Sequence, residues 1–162
     1  MAISEIYNGR STVGTSSTAA TPLLSVFGTA AKRLWVVGCR LEVQSAGATP
    51  AGNQIIFTLA RSTTATVTGT GLAGGVAQDF SAPASIGQIA VAWSTAPTIT
   101  TILGEWTLPQ TTGSAWEEFP PLGYEWGVPA IANGTTNCGV HLFATASNST
   151  ATGLVTELIW SE

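Results

Sequence analysis

Residues 32–44 read Lys-Arg-Leu-Trp-Val-Val-Gly-Cys-Arg-Leu-Glu-Val-Gln, and their order decides the fold class. The odd positions Trp35, Val37, Cys39, Leu41 and Val43 are all apolar. The even positions end in Gly38, Arg40, Glu42 and Gln44. Side chains of an extended chain point alternately to two faces. A period of two therefore predicts a strand with one buried face and one face that turns polar along its length. Residues 54–61 repeat the pattern, with Ile55, Phe57 and Leu59 on one face. The intervening residues 45–53 hold Pro50 and two Gly, which reads as a loop between paired strands.

Moving outward, the same period recurs. Residues 89–93 alternate large and small. Residues 102–108 place Ile102, Gly104, Trp106 and Leu108 on one face and Glu105 on the other. Residues 138–145 set Val140, Leu142 and Ala144 against His141 and Phe143. Residues 153–160 set Leu154, Thr156, Leu158 and Trp160 against Val155, Glu157 and Ile159. Shorter candidates lie at 23–27 and 116–119. No window sustains a helical period. About eight strands with Gly, Pro, Ser and Thr punctuation predict an all-β chain, a single jelly-roll-like β-sandwich over residues 22–162. The predicted core includes Trp35, Val37, Leu41, Ile55, Phe57, Leu59, Val140, Leu142 and Leu158. Residues 1–21 lack any strand-like or helical period and end at Pro22, so they read as an extended N-terminal arm outside the sandwich. The Thr/Ala/Gly-rich residues 62–88 read as a long loop, or as an extension of the preceding strand.

Composition narrows the function. Only 9% of the 162 residues are charged, against roughly 25% in an ordinary soluble domain. Thr, Ala, Gly and Ser make up about half the chain. Five Lys and Arg cannot neutralise a run of phosphates, so no nucleic-acid partner is expected. No stretch approaches the roughly 18–20 apolar residues of a membrane span, and the first seven residues carry no secretory signal. A sparsely charged surface suits a protein covered by neighbours.

Reactive chemistry is thin. His141 is the only histidine, and no Gly-x-Ser-x-Gly elbow accompanies it. Glu117 and Glu118 are adjacent and would point to opposite faces if extended, unlike the paired carboxylates of a glycosidase. Cys39 and Cys138 fall within predicted strands, as two buried thiols or as a bridge between facing strands. One His, one Asp and two distant Cys make no metal cage. The Gly-rich residues 69–75 lack the Lys-Ser/Thr ending of a phosphate loop. No catalytic residue, metal or cofactor is therefore expected. The six Trp stand out. Trp116, Phe119, Tyr124 and Trp126 cluster in a Pro-broken stretch. Such a cluster can serve as a subunit contact, a sugar-stacking platform or a cap on the end of the sandwich. With Ile3, Ile6 and Tyr7 of the arm they form the candidate assembly interface. The arm itself is expected to add as a strand to a partner's sheet edge.

Residues 30–37 (Ala-Ala-Lys-Arg-Leu-Trp-Val-Val) and 54–61 (Gln-Ile-Ile-Phe-Thr-Leu-Ala-Arg) resemble small β-rich virion proteins of tailed bacteriophages, of the capsid decoration (cement) or minor head protein type. The resemblance extends in style to the short arm, the Ala/Thr/Gly-rich strands and the scarcity of charge. It implies a jelly-roll-like fold and symmetric oligomers, often trimers, bound to the major capsid protein. The expected protein is then a non-enzymatic structural component that stabilises a phage capsid. It would be made in the host cytoplasm, located in the virion and self-associated as a homotrimer. Alternatives are a tail or head-fibre component, or a carbohydrate- or receptor-binding β-sandwich.

Overall fold

A computed structural model describes residues 5–11, 14–15, 22–29, 33–44, 54–62, 68–70, 73–79, 81–97, 99–121, 125–128, 139–146 and 152–162. Fifteen strand segments and no helix occur among them. They are β1 (Ile6–Arg10), β2 (Gly14–Thr15), β3 (Leu24–Phe27), β4 (Leu34–Val43), β5 (Gln54–Ser62), β6 (Thr68–Thr70), β7 (Ala73–Gly74) and β8 (Val76–Ala77). The remainder are β9 (Gln88–Ala90), β10 (Ala92–Thr95), β11 (Ile99–Pro109), β12 (Ala115–Glu118), β13 (Trp126–Val128), β14 (Gly139–Ala146) and β15 (Thr152–Ser161).

Two antiparallel sheets pack into a β-sandwich. The first runs β12-β4-β15-β1-β8, with β13 also on β4 and β2 also on β15. The second runs β11-β5-β14-β3-β9-β7. A two-stranded ribbon, β10-β6, stands apart from both. The chain crosses between the sheets at almost every turn of the first half: β3 in the second, β4 in the first, β5 in the second.

The core lies between the sheets. Leu34, Val36, Leu41, Val43, Leu154, Leu158 and Trp160 of the first sheet meet Leu24, Val26, Ile55, Phe57, Leu59, Val140 and Leu142 of the second, all buried. The alternation of β5, β14 and β15 therefore runs as the sequence predicts. Each fully buried Leu or Phe of this set contributes about 1.5–3 kcal/mol of transfer free energy.

Strands β4 and β11 depart from simple alternation for the same reason. In β4, Gly38 opposes Ile159 and Val36 opposes Trp160, so Val37 is an extra residue. Such a bulge shifts the side-chain phase by one. Cys39, Leu41 and Val43 face the core on one side of it, Leu34 and Val36 on the other, and Trp35 is turned outward, 41% exposed. The expectation that Trp35 and Val37 are core residues fails here: Val37 is only half-buried. In β11, Ile102 opposes Ala60 and Gly104 opposes Leu59, which makes Leu103 the extra residue. Leu103 and Trp106 then pack on the core while Ile102 is exposed.

The predicted arm is corrected as well. Ile6–Arg10 is a strand of the first sheet, paired with β15 along its whole length and with β8 on its other side. Tyr7 is fully buried against Trp160, their ring centroids 6.3 Å apart. The N-terminal segment is thus part of the sandwich at 6–10, and the boundary at residue 21 does not separate it. Residues 1–4, 12–13 and 16–21 lie outside the described residues. The predicted strand at 89–93 divides into β9, in the second sheet, and β10, in the ribbon.

The ribbon makes a third layer. A Cβ at Gly69 of β6 would lie 2.7 Å from both the Ala90 Cβ and the Phe27 ring, so only glycine permits this approach. It covers the outer side of β3 and β9.

Candidate functional site

Residues opposed on antiparallel strands share a face, so the pairings divide the outer face of the first sheet into rows. The first row is Ile6, Ser161, Trp35 and Gly127. The second is Val76, Asn8, Ile159 and Gly38. The third is Arg10, Glu157, Arg40 and Glu117. The fourth is Val155, Glu42 and Ala115.

The first two rows carry no charge, and their exposed members Ile6, Trp35 and Val76 are apolar, while Ile159 and Gly38 are buried. Ile6 is 40% exposed and Val76 69%. Trp35 reaches this face because of the bulge at Val37. The Arg33 guanidinium carbon lies 5.4 Å from the Trp35 ring centroid, a cation–π contact worth about 0.5–1 kcal/mol at an exposed site. Beside it, the Arg61 guanidinium donates to the Gly127 carbonyl. Burial, and then the neighbouring Arg33, lower the Arg61 pKa. Phe119, just past β12, lays its ring over Gly38, where a Cβ would come within 2.5 Å of the ring. The outer side of Phe119 remains half exposed.

The third row alternates in sign: plus, minus, plus, minus. Arg40 Nε lies 2.9 Å from a Glu117 carboxylate oxygen, and its NH1 lies 3.5 Å from Glu157. Glu157 also accepts from Asn8 Nδ2. Arg10 reaches across β15 to Glu42 at 3.3 Å, and Val155 between them is buried. A cleft of about 210 Å³ opens here, bordered by Arg10, Arg40, Glu42, Trp116, Glu117 and Glu157. A chain with 9% charged residues thus gathers two arginines and three glutamates on one face. Their charges nearly cancel, so the face offers pattern rather than net field.

The predicted interface residues divide. Ile6, Trp116 and Phe119 are exposed. Tyr7 is not an interface residue but a core one. Trp126 is half-buried and packs on the core, its ring edge-on to Trp106 at 6.1 Å. Ile3 and Tyr124 lie outside the described residues. Trp35, Arg10, Arg40 and Glu157 were missed as members of this face. Strand alternation assigns Trp35 inward unless the bulge is known, and the charged row exists only once β1, β15, β4 and β12 lie side by side.

Other reactive groups are enclosed. His141 is fully buried on the outer side of the second sheet, its Nδ1 2.8 Å from Ser25 Oγ. Desolvation by burial pushes its pKa down to about 3, so the ring is neutral at pH 7. Phe27 and Phe143 pack edge-on against it, at 5.8 and 6.3 Å. The Ser25–His141 pair is thus sealed from solvent in the folded chain. Cys39 is a free, buried thiol whose pKa burial raises to about 12, so it is protonated and inert. Cys138 lies outside the described residues. Among the described residues no group of three His, Cys, Asp or Glu is placed to hold a metal ion. Among the described residues no helix is long and apolar enough to cross a membrane.

Glu162 has an unforeseen structural part. Its carboxylate accepts from Ser85 Oγ, from the amides of Ile86 (3.0 Å) and Gly87 (2.9 Å), and from Trp160 Nε1 (3.1 Å). Burial acts to raise its pKa, but these four donors outweigh it and the net shift is downward. The side chain ties the 85–87 loop to the end of β15.

No protein-family model matches the chain, and no curated protein matches it in sequence.

Proposed function

We propose that the chain is a non-enzymatic structural protein of a tailed-phage virion that binds and stabilises the capsid shell, with the outer face of its first sheet as its assembly surface. One observation carries the reading. The chain covers the outer side of β3 and β9 in its second sheet with its own ribbon but leaves large apolar side chains, Ile6, Trp35, Val76 and Phe119, exposed on the first. A patch of that kind on a folded domain marks an interaction surface. Shell stabilisation requires contact area and no chemistry.

The strand order supports a jelly-roll fold within this reading. Taking β1, β3, β4, β5, β11, β12, β14 and β15 as strands one to eight, the first sheet runs one-eight-three-six and the second two-seven-four-five. That arrangement of two interlocked four-stranded sheets is used by viral capsid domains and by lectins. The shared fold is an analogy, and function rests on the face.

The test is co-sedimentation of the purified protein with empty phage shells. The proposal expects saturable binding at a fixed copy number, and its loss in Trp35→Lys with the fold retained. A protein that stays in the supernatant and instead binds glycans at millimolar concentration belongs to the carbohydrate-binding class.

A further inference from the structure

We propose that the outer face of the first sheet pairs with the same face of a second copy of this chain, about a two-fold axis parallel to the strands between β15 and β4. This rests on reading that face as the assembly surface, and it names the partner that fits it.

The pattern of charge selects the partner and the axis. Arg10, Glu157, Arg40 and Glu117 stand on four neighbouring strands in alternating sign. A two-fold axis in the plane of contact and along the strands reverses the order across the strands and keeps the order along them. It sets Arg10 against Glu117 of the second copy and Glu157 against Arg40 of the second copy. The remaining two contacts follow by symmetry, so every charge of the row meets its opposite. A two-fold axis across the strands would set Arg40 against Arg40 and Glu157 against Glu157, which costs affinity. Strand order thus makes the face self-complementary in one orientation only, the condition for a closed isologous pair.

The same operation treats the apolar rows consistently, because positions along the strands are kept. Trp35 falls opposite the small Ser161 of the second copy, and the Phe119 ring, which lies over Gly38, falls opposite Ile159 of the second copy. Exposed apolar surface supplies the affinity, and the charged row fixes orientation and register. The two sheets would pack in the aligned manner of sandwich layers, their strand directions within about 30° of each other. An isologous dimer, not a trimer, is the closed assembly this pattern specifies.

The experiment is a charge swap by mixing, read by sedimentation equilibrium on the isolated full chain. Wild type is expected to dimerise at micromolar concentration. Arg40→Glu alone places like charges opposite each other twice per dimer, as does Glu157→Arg alone. Each should weaken association by at least about 100-fold. Mixed in equal amounts, the two variants should dimerise again, because Glu at 40 and Glu157 on one chain then face Arg at 157 and Arg40 on the other. Rescue in the mixture cannot arise from contacts within a chain. Circular dichroism checks that each variant is folded. If either is not, Arg10→Glu and Glu117→Arg repeat the test on the outer pair of the row. A wild type that remains monomeric overturns the proposal, as do single variants that still dimerise or a mixture that stays monomeric. A protein that dimerises in this way but ignores phage shells fails only the reading of its function.

Discussion

The two sheets share one core, yet their outer faces have opposite character. On the second sheet the row Ile102, Ala60, His141, Ser25 and Ala90 crosses five strands, and all but Ile102 are buried. The β6–β10 ribbon lies against Phe27 and Ala90 there. Where it is buried on both sides, the second sheet holds small, apolar or neutral groups: two alanines, a serine bonded to a histidine, and a histidine that stays uncharged; its one outward carboxylate in this region, Glu105, stands on the exposed edge strand β11. The outer face of the first sheet carries five charged side chains and several exposed apolar ones. The low charge of the chain is therefore not spread evenly. Charge is excluded where the chain covers itself and collected where it does not. A group buried on both sides must be neutral or fully paired, because desolvating an unpaired charge costs several kcal/mol.

The largest effect expected on this comparison is at β1, which supplies Ile6 and Arg10 to the open face and Tyr7 to the core. Deleting residues 2–20 removes that strand from between β15 and β8 and leaves Trp160 without its stacking partner. We expect no cooperative thermal transition in the deletion variant. A truncated protein with an unchanged melting temperature would show that the first sheet closes without β1. Next in size is Phe27→Ala, on the covered face. Phe27 is fully buried beneath the ribbon, so its loss should cost about 3–5 kcal/mol in urea unfolding. Trp35→Ala, on the open face, should cost about 1–2 kcal/mol although the side chain is larger, because 41% of it stays in water. Equal costs would mean that the two faces are covered alike in solution.

How far the sequence discloses this molecule depends on the range of the signal. Period-two alternation is local, so β5, β14 and β15 and their buried faces are readable from Ile55, Phe57, Leu59, Leu142, Leu154 and Leu158. A bulge is not local. Val37 and Leu103 are extra residues only with respect to Ile159 and Leu59 on the neighbouring strands. Within residues 34–43 only Gly38 hints at a bulge, as an isolated glycine in a strand can, and reading the alternation straight through it places Trp35 on the wrong side. The N-terminal segment misleads for another reason. Ile6–Arg10 is short, and its inward positions are Tyr7 and Gly9, a pattern too brief to register as alternation. Gly9 is nonetheless required: a Cβ there would come within 2.4 Å of Ile89. Of the open face, Ile6 and Phe119 are legible as exposed apolar candidates; Trp116 is exposed too, but it opposes Leu41 on the core side of the edge strand β12. The charged row is a product of strand order, which no single stretch of sequence contains.

A third prediction concerns pH and belongs to the covered face. His141 has its pKa lowered to about 3 in the folded chain, against an ordinary value of 6.5. Below pH 6.5 the unfolded chain takes up a proton that the folded chain refuses. Stability is then fully present above pH 6.5 and declines as pH falls toward 3, with a slope approaching about 1.4 kcal/mol per pH unit. The chain has a single histidine, so the loss between pH 6.5 and 5, before carboxylates titrate, is assigned to it. Urea unfolding of wild type and His141→Gln across that interval checks the point. The variant should be less stable at pH 7 but nearly flat with pH. A variant that keeps the wild-type slope would mean that the His141 ring reaches solvent when folded.

The smallest effect lies in the charged row of the open face. Arg40 touches both Glu117 and Glu157, and its side chain is 46% exposed. In such a setting the Coulomb gain is screened by water and salt and offset by the entropy of holding long side chains in place. Arg40→Ala should therefore change the stability of the monomer by no more than about 1 kcal/mol, and the difference should shrink further in molar salt. The same change removes the centre of the alternating row, so its effect on self-association should be much the larger of the two. Urea unfolding at a concentration where the wild type is monomeric measures the first quantity, and sedimentation the second. A row kept for the fold would show the reverse order, with a large loss of monomer stability and an unaltered association constant. The contrast with Phe27→Ala is then complete: on the covered face a substitution is felt in folding, and on the open face in assembly.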